Sequence, residues 1–128
     1  MPAERRDRPR LLLVEDYALG RNACARVLAQ AFRVTAVDDG GAALRSAGHA
    51  PFDVVLADYR MPEMSGIELL EHLRLLEPRA RRVLMSCAPV PGLVGYSATG
   101  LVQGFLAKPF DLQTACTVLH PQAFSQRG

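Results

Sequence analysis

Phe52-Asp53-Val54-Val55-Leu56-Ala57-Asp58 is the stretch of sequence that decides the fold. Its centre is a run of apolar residues without polar alternation, which is typical of a strand buried on both faces of a parallel sheet. The run ends at Asp58, and a loop that contains Pro62 follows. Ser65 and Glu68 then have the spacing of a capping box, so we expect a helix to begin at Ser65. The stretch therefore predicts one strand–loop–helix unit.

The alternation of strand and helix extends along the whole chain. Short apolar or β-rich runs predict four more strands, at residues 11–14, 33–37, 83–85 and 105–107. Helical signals lie between them, at about residues 19–31, 42–47, 65–77 and 112–119. Alternating elements indicate βαβ units and a parallel sheet, whose crossovers are nearly always right-handed. We therefore predict an α/β fold: a flavodoxin-like, doubly wound five-stranded parallel sheet of order 2-1-3-4-5 with helices on both faces.

Length and composition indicate one globular domain. The chain has 128 residues, of which 49% are hydrophobic and 22% are charged, so it can bury a core and is not intrinsically disordered. The net charge of +2 is too small to indicate a nucleic-acid-binding protein. We expect a domain over 10–120 between a flexible N-terminal tail, 1–9, and a C-terminal tail, 121–128.

Cysteine usage and hydropathy favour a cytoplasmic protein that does not contact a membrane. Cys24, Cys87 and Cys116 form no Cys-x-x-Cys pair and are odd in number, which is typical of reduced thiols. No apolar segment of a secretion signal follows the basic start. Residues 83–107 carry no charged side chain, but prolines and glycines interrupt them, so they do not read as a membrane span.

Polar residues stand where the predicted strands end. They are Glu15 and Asp16, Asp58, Ser86 and Lys108. Doubly wound sheets bind ligands at the carboxyl ends of their strands, so we expect these five side chains at one edge. Asp53 instead begins its strand, and at about 3.3 Å per residue it should lie roughly 16 Å from Asp58.

The charges of this cluster predict a cation site. Three carboxylates and one ammonium leave it at a net −2, and two like charges about 4 Å apart repel by roughly 4 kcal/mol at an effective dielectric constant near 20. Such a site raises a carboxylate pKa or binds a cation, and oxygen ligands favour Mg²⁺. A phosphoryl group would then bridge the metal and Lys108. An aspartate is also a nucleophile that can form an aspartyl-phosphate.

Over about residues 10–119 the sequence resembles the receiver domain of two-component response regulators. The resemblance is carried by Leu12-Leu13-Val14-Glu15-Asp16, Asp58-Tyr59-Arg60-Met61-Pro62-Glu63-Met64-Ser65-Gly66, Ser86-Cys87 and Lys108-Pro109-Phe110. It implies that Asp58 is the phosphoacceptor and that Lys108 contacts the phosphoryl oxygens. It also implies that Mg²⁺ is held by Glu15, Asp16, Asp58 and the backbone carbonyl of Arg60.

The resemblance further implies a switch and a set of partners. Ser86 occupies the place of the switch hydroxyl, Phe105 that of the switch aromatic residue, and Arg60 a place that tunes dephosphorylation. Most members of the family have Tyr at this place. Phe105 lacks the Tyr hydroxyl, so any movement of this side chain between two states would work by packing alone. The implied partners are a sensor histidine kinase or phosphotransfer protein and a downstream protein target or fused output domain, without direct nucleic-acid contact. The resemblance also implies a signalling phosphoacceptor rather than an ordinary enzyme, one that would promote its own phosphoryl transfer and slow autodephosphorylation.

Other interpretations of these residues stay open. Glu15 and Asp16 can cap the first helix, Phe105 can be plain core, and Arg60 can be a solvated loop charge. A receiver-like interaction module that acts without phosphorylation is the alternative function. A haloacid-dehalogenase-type phosphatase is disfavoured, because such enzymes place a second Asp where this chain has Arg60.

The segment between Ser86 and Phe105 departs from the family pattern. It holds two prolines and four glycines, and these cost a helix about 3 and about 1 kcal/mol each in interior positions. We therefore expect the fourth helix to be short or irregular. Residues 88–107 are uncharged, which favours either an apolar contact, such as a homodimer, or a segment that folds back over the core.

Overall fold

A computed structural model of the chain describes residues 7–120. Five parallel strands form one sheet of order β2-β1-β3-β4-β5, which confirms the predicted α/β topology. In chain order the elements are β1 Arg10–Val14, α1 Ala18–Leu28, β2 Arg33–Val37, α2 Gly40–His49, β3 Val54–Asp58, α3 Gly66–Leu76, β4 Arg81–Ser86, α4 Leu93–Ala98, β5 Gly104–Ala107 and α5 Leu112–Leu119.

The central strands are buried on both faces, as their unbroken apolar runs predict. Successive residues of β1, β3 and β4 alternate between two apolar clusters, one on each face of the sheet. Leu12, Val55 and Leu84 belong to the first cluster, and Leu11 and Val54 belong to the second. Helices must therefore cover both faces, which leaves only the edges of the sheet for a site.

The predicted start of α3 is confirmed. The Ser65 hydroxyl accepts a hydrogen bond from the Glu68 backbone at 3.2 Å, and the Glu68 carboxylate accepts one from the Ser65 backbone at 2.9 Å. This capping box satisfies two amides of the first turn. The helix ends at Leu76, two residues before Pro78.

The structure differs from the sequence prediction at β4 and α1. β4 begins at Arg81 rather than Val83, because the buried side chains of Arg81 and Arg82 bond to backbone carbonyls. In α1 only Leu28 is buried, and Leu19 is 69% exposed, so the apolar spacing does not mark one core-facing stripe. Ala31 lies beyond the end of α1.

The residues just before β1 are bonded to the domain. The guanidinium of Arg8 donates to the Ala29 carbonyl at 2.7 Å, and the Arg33 backbone donates to the Pro9 carbonyl at 2.8 Å. The rest of the predicted tails, residues 1–6 and 121–128, lies outside the described residues.

The fourth helix is short, as predicted. α4 has six residues and lies between Gly92 and Gly100, both with φ of 79°. Val90 and Val102 are buried in the core, whereas Val94 is 85% exposed. The uncharged segment therefore both folds over the core and presents an uncharged outer face. Among residues 7–120, no helix has the length and apolar character needed to cross a bilayer.

Candidate functional site

Three carboxylates meet at the carboxyl ends of β1 and β3. One oxygen from each of Glu15, Asp16 and Asp58 lies within 4.8 Å of the other two. Glu15 and Asp58 are buried, at 2% and 6% exposure, and Asp16 is exposed. This all-oxygen donor set, with one side open to water, fits a hard divalent cation such as Mg²⁺.

Lys108, the residue after β5, places its ammonium between the two buried carboxylates. Its Nζ lies 2.7 Å from Glu15 Oε1 and 2.7 Å from Asp58 Oδ1. Burial alone would lower the pKa of Lys108, but the hydrogen bonds and charges of Asp58 and Glu15 outweigh it and raise that pKa above its ordinary value. Lys108 is therefore a permanent cation at neutral pH.

Sequence reasoning missed how Arg21 holds the acidic pair. The Arg21 guanidinium donates to the backbone carbonyls of Glu15 at 3.0 Å and Asp16 at 3.3 Å. The N-cap of α1 is Tyr17, which makes no side-chain capping bond, so neither acid caps the helix in the usual way. Glu15 Oε2 does accept a bond from the Tyr17 backbone at 3.2 Å. The backbone of the acidic pair is thus fixed by Arg21, while both carboxylate oxygens of Glu15 accept hydrogen bonds, one from Lys108 and one from the Tyr17 amide.

Gly66 brings α3 directly against the residue that ends β3. Its backbone donates to the Tyr59 carbonyl at 2.9 Å. A Cβ at this position would collide with the backbone carbonyl oxygen of Asp58 and would lie 2.8 Å from Leu84 Cδ1. Sequence analysis quoted Gly66 only within a motif, and the signal for its role was a glycine at the first position of a helix.

Ser86 ends β4 at the same edge, but its hydroxyl points into the next loop. Ser86 Oγ donates to the Ala88 carbonyl at 2.7 Å and accepts from the Ala88 backbone amide at 3.1 Å. The side chain is 5% exposed. The backbone carbonyl of Ser86 also accepts from the Lys108 amide at 2.9 Å, so Ser86 connects the cluster to the β4–α4 loop.

The two remaining predicted residues lie around the cluster rather than in it. Phe105, in β5, is partly buried and packs against the apolar cluster that contains Val90 and Val102. Arg60 is exposed in the loop after Asp58 and lines an open, mostly apolar cavity of about 520 Å³.

A second cavity adjoins Lys108 on the α1 side of the sheet. Its volume is about 280 Å³, and Cys24, Cys87 and Phe110 are among the residues that line it. Burial raises the pKa of the Cys24 thiol. We interpret Cys24, which is partly buried, as a packing group of this mainly apolar wall, whereas Cys87 is exposed at its rim.

Comparison with known proteins identifies the family. Residues 11–120 match the model of the response regulator receiver domain. The transcriptional activator protein PfeR of Pseudomonas aeruginosa is 40% identical over 108 residues, which are 81% of this chain and 34% of PfeR, so this chain spans about a third of that relative. The two-component response regulator ORR5 of Oryza sativa subsp. japonica is 38% identical over 123 residues, 89% of this chain and 90% of the relative.

A solved structure shows the same likeness. The receiver domain of a sensor histidine kinase from Pseudomonas aeruginosa, solved with a magnesium ion coordinated in its active site cleft, has a TM-score of 0.73 and 28% identity, with 84% of this chain and 90% of that chain covered. Together with the parallel sheet and its acidic edge, these matches show that the chain belongs to the response regulator receiver domains of two-component systems.

Proposed function

We propose that Asp58 accepts a phosphoryl group from a phosphohistidine, and that this modification alters the surface formed by α4, β5 and α5. The observation that carries the proposal is the environment of one carboxylate. Asp58 is buried, lies within 4.8 Å of two further acids and is paired with Lys108 at 2.7 Å. A structural aspartate does not need this arrangement, whereas a nucleophile that must accept a charged group does.

The transfer forms one bond and breaks one. An oxygen of Asp58 attacks the phosphorus, and the phosphorus–nitrogen bond of the phosphohistidine breaks and returns its electron pair to the imidazole. Lys108 is already beside the attacking oxygen and holds a positive charge where negative charge accumulates on the phosphoryl oxygens. We therefore assign it the role of stabilising the transferred group.

Glu15, Asp16 and Asp58 would hold Mg²⁺, and we place the backbone carbonyl of Arg60 beside them as a further ligand. Their oxygen atoms match the preference of this ion. When bound, the cation supplies positive charge that offsets the crowding of the acids and of the incoming phosphoryl group.

Ser86 and Phe105 would transmit the modification. The Ser86 hydroxyl satisfies both backbone groups of Ala88, so turning it toward a phosphoryl group on Asp58 breaks two bonds that shape the β4–α4 loop. Phe105 packs against the same apolar cluster as Val90 in that loop and would repack with it. Because Phe105 has no hydroxyl, its part is packing alone.

Arg60 would set the lifetime of the modified state. It is exposed and lies two residues after Asp58, where its side chain can shield the phosphoryl group from water. Arg60→Ala should change the half-life of the adduct, whereas an unchanged half-life would assign Arg60 to plain solvation.

A sensor histidine kinase or a phosphotransfer protein would supply the phosphoryl group. Tyr17 and Leu19, directly after the acidic pair, are 63% and 69% exposed, and a protein donor would cover them. Leu19→Asp should slow transfer from a phosphorylated histidine phosphotransfer protein and leave labelling by acetyl phosphate unchanged. We propose that the downstream protein target binds on the α4 side of the domain. We also propose that the protein is cytoplasmic, where its three free cysteines stay reduced.

Intact mass spectrometry tests the proposal. Incubation with Mg²⁺ and acetyl phosphate should add the mass of one phosphoryl group, and chelation or Asp58→Asn should abolish the addition. Asp53→Asn is the matched control, because Asp53 is an exposed aspartate at the opposite end of the same strand. Absence of an adduct with acetyl phosphate and with a phosphohistidine donor would favour the interaction module that acts without phosphorylation.

A further inference from the structure

The two ends of α4 are held in different ways. At its N-terminus, Gly92 caps the helix without a side-chain hydrogen bond. At its C-terminal side, the carbonyls of Thr99, Gly100 and Leu101 all accept bonds from arginine side chains. These three carbonyls belong to the residues that directly follow the helix, so the bonds fix the start of the α4–β5 connection in place.

Arg82 makes most of these bonds from within the sheet. Its guanidinium donates to Gly100 at 2.9 Å, to Leu101 at 3.0 Å and to Ala80 at 3.3 Å. The residue is 5% exposed, and its backbone amide donates to the Gln103 side chain at 2.8 Å. A buried guanidinium is costly unless it is hydrogen-bonded, so displacement of these carbonyls would leave a charge unsatisfied. Arg74 adds a bond to Thr99 at 3.1 Å from α3.

Arg81 holds the next part of the same connection from the opposite face of the sheet. Its guanidinium donates to the carbonyls of Gln103 at 3.1 Å and Val118 at 2.8 Å. It passes over Gly104, where a Cβ would lie 2.9 Å from its Nη2. The α4–β5 connection is therefore tied to β4 from both sides.

The N-terminal side of α4 is held more weakly. The side chain of Val90 is 7% exposed, and the Ser86 hydroxyl bonds to Ala88. Apart from Val90, residues 87–92 are exposed. They contain Pro89 and Pro91 and carry no charged side chain. Loss of the Ser86 contact leaves chiefly apolar burial to hold this loop.

We propose that Arg82 and Arg74 make the C-terminal end of α4 a fixed hinge, so that phosphorylation displaces residues 87–95 while residues 99–103 stay in place. The inference rests on the proposed function for its trigger, but the hinge itself exists before any modification. It assigns Arg82 a positioning role outside the phosphoacceptor site.

Amide hydrogen exchange of the full chain tests the hinge without phosphorylation. In Arg82→Met, the amides of Gly100 and Val102 should exchange about tenfold or more faster, because hydrogen bonds of a charged group are removed. The exchange rates of Arg82→Lys should lie between those of the wild type and of Arg82→Met, since a compact ammonium lacks the planar fork whose three nitrogens reach Ala80, Gly100 and Leu101. The amides of β1 and β3 report global stability. After correction for any change in unfolding free energy, each of them should exchange at the same rate in the variants as in the wild type.

Arg81→Met is the matched control, because it removes an equally placed arginine from the other face. It should speed exchange at the end of α5, where the His120 amide donates to the Cys116 carbonyl, more than at Gly100. Unchanged exchange of 99–103 in Arg82→Met, or an equal effect of both variants on Gly100, would overturn the hinge.

The second comparison uses the same proteins after acetyl phosphate and Mg²⁺, with the adduct measured by mass in each sample. In the wild type, exchange should change within 87–95 and stay constant within 99–103, and in Arg82→Met the change should spread into 99–103. Equal changes in both segments of the wild type would refute the hinge although the adduct forms. Absence of an adduct with acetyl phosphate and with a phosphohistidine donor would refute the trigger and the proposed function, while the unmodified variants still decide the anchoring role.

Discussion

Gly66→Ala should damage both the stability and the phosphorylation of this domain, although it adds a single methyl group. The new Cβ would collide with the Asp58 carbonyl oxygen and would lie 2.8 Å from Leu84 Cδ1. Leu84 is fully buried, and the Tyr59 amide, next to Asp58, is bonded to the Met85 carbonyl at 2.8 Å. Neither neighbour can move aside freely, so the clash must be shared between a shift of α3 and a smaller displacement of the Asp58 backbone.

The magnitude follows from two opposing effects. Overpacking in a well-packed core costs about 1–3 kcal/mol. Replacing a helical glycine by alanine returns up to about 1 kcal/mol. We therefore expect a net loss of about 1–2 kcal/mol, which lowers the urea midpoint by roughly 0.5–2 M at an m value of about 1–2 kcal/mol/M.

Gly48→Ala is the matched control. Gly48 lies in α2, and a Cβ there would meet no atom within 4 Å. This substitution should raise stability by about 0.4–1 kcal/mol, because it restricts the unfolded chain without a clash. Urea unfolding measures both variants against the wild type.

Phosphorylation kinetics supply the second readout. A displacement of Asp58 by a fraction of an ångström moves it relative to Lys108, and misplacement of about 1 Å costs reactions up to about a hundredfold. Labelling of Gly66→Ala by acetyl phosphate should therefore slow about tenfold, and that of Gly48→Ala should not change. Wild-type stability of Gly66→Ala would contradict the close approach, and lost stability with wild-type labelling would show that α3 does not position Asp58.

Three further substitutions address other parts of the molecule. Ser65→Ala should lower the free energy of unfolding by about 1 kcal/mol in a urea titration, and no loss would mean that the capping box contributes nothing to stability. Lys108→Met leaves two buried carboxylates without their ammonium, so without Mg²⁺ it should lose about 1–3 kcal/mol and in calorimetry bind Mg²⁺ more tightly than the wild type. Weaker Mg²⁺ binding would show that Lys108 does not compete with the cation. Val94→Glu should dissociate any homodimer that forms through residues 88–107, because Val94 is 85% exposed on the uncharged outer face. Sedimentation that finds a monomeric wild type at high concentration would remove the dimer from consideration.

The elements that the sequence predicts well are those set by local chemistry. Unbroken apolar runs mark β1 and β3 because only a doubly covered sheet buries every residue of a strand. Ser65 and Glu68 mark the start of α3 because their side chains bond to the backbone three residues away. The grouping of Glu15, Asp58 and Lys108 follows from strand order once strand ends are known.

The features that the sequence hides depend on partners far away in the chain. Arg81 and Arg82 read as the charged end of a loop, yet they are buried because carbonyls 18 to 37 residues away accept their bonds. The direction of the Ser86 hydroxyl depends on the backbone of its own loop, which no pattern of residue types specifies. Leu19 has helical spacing with other apolar residues and still faces outward.

The weakness of α4 and the strength of its C-terminal anchor have one physical basis. The helix has six residues, an interior glycine and no buried residue, so it has little stability of its own. Gly95 in its interior costs about 1 kcal/mol of helix stability relative to alanine. By contrast, each hydrogen bond from a charged group such as the buried Arg82 guanidinium contributes about 1.5–3 kcal/mol. The position of α4 is therefore set by tertiary bonds at one end, by the Ser86–Ala88 contact at the other, and by the partly buried side chains of Leu93 and Tyr96 that pack against the core. A segment held in this way responds to the loss of a single contact, because its own backbone resists displacement so little.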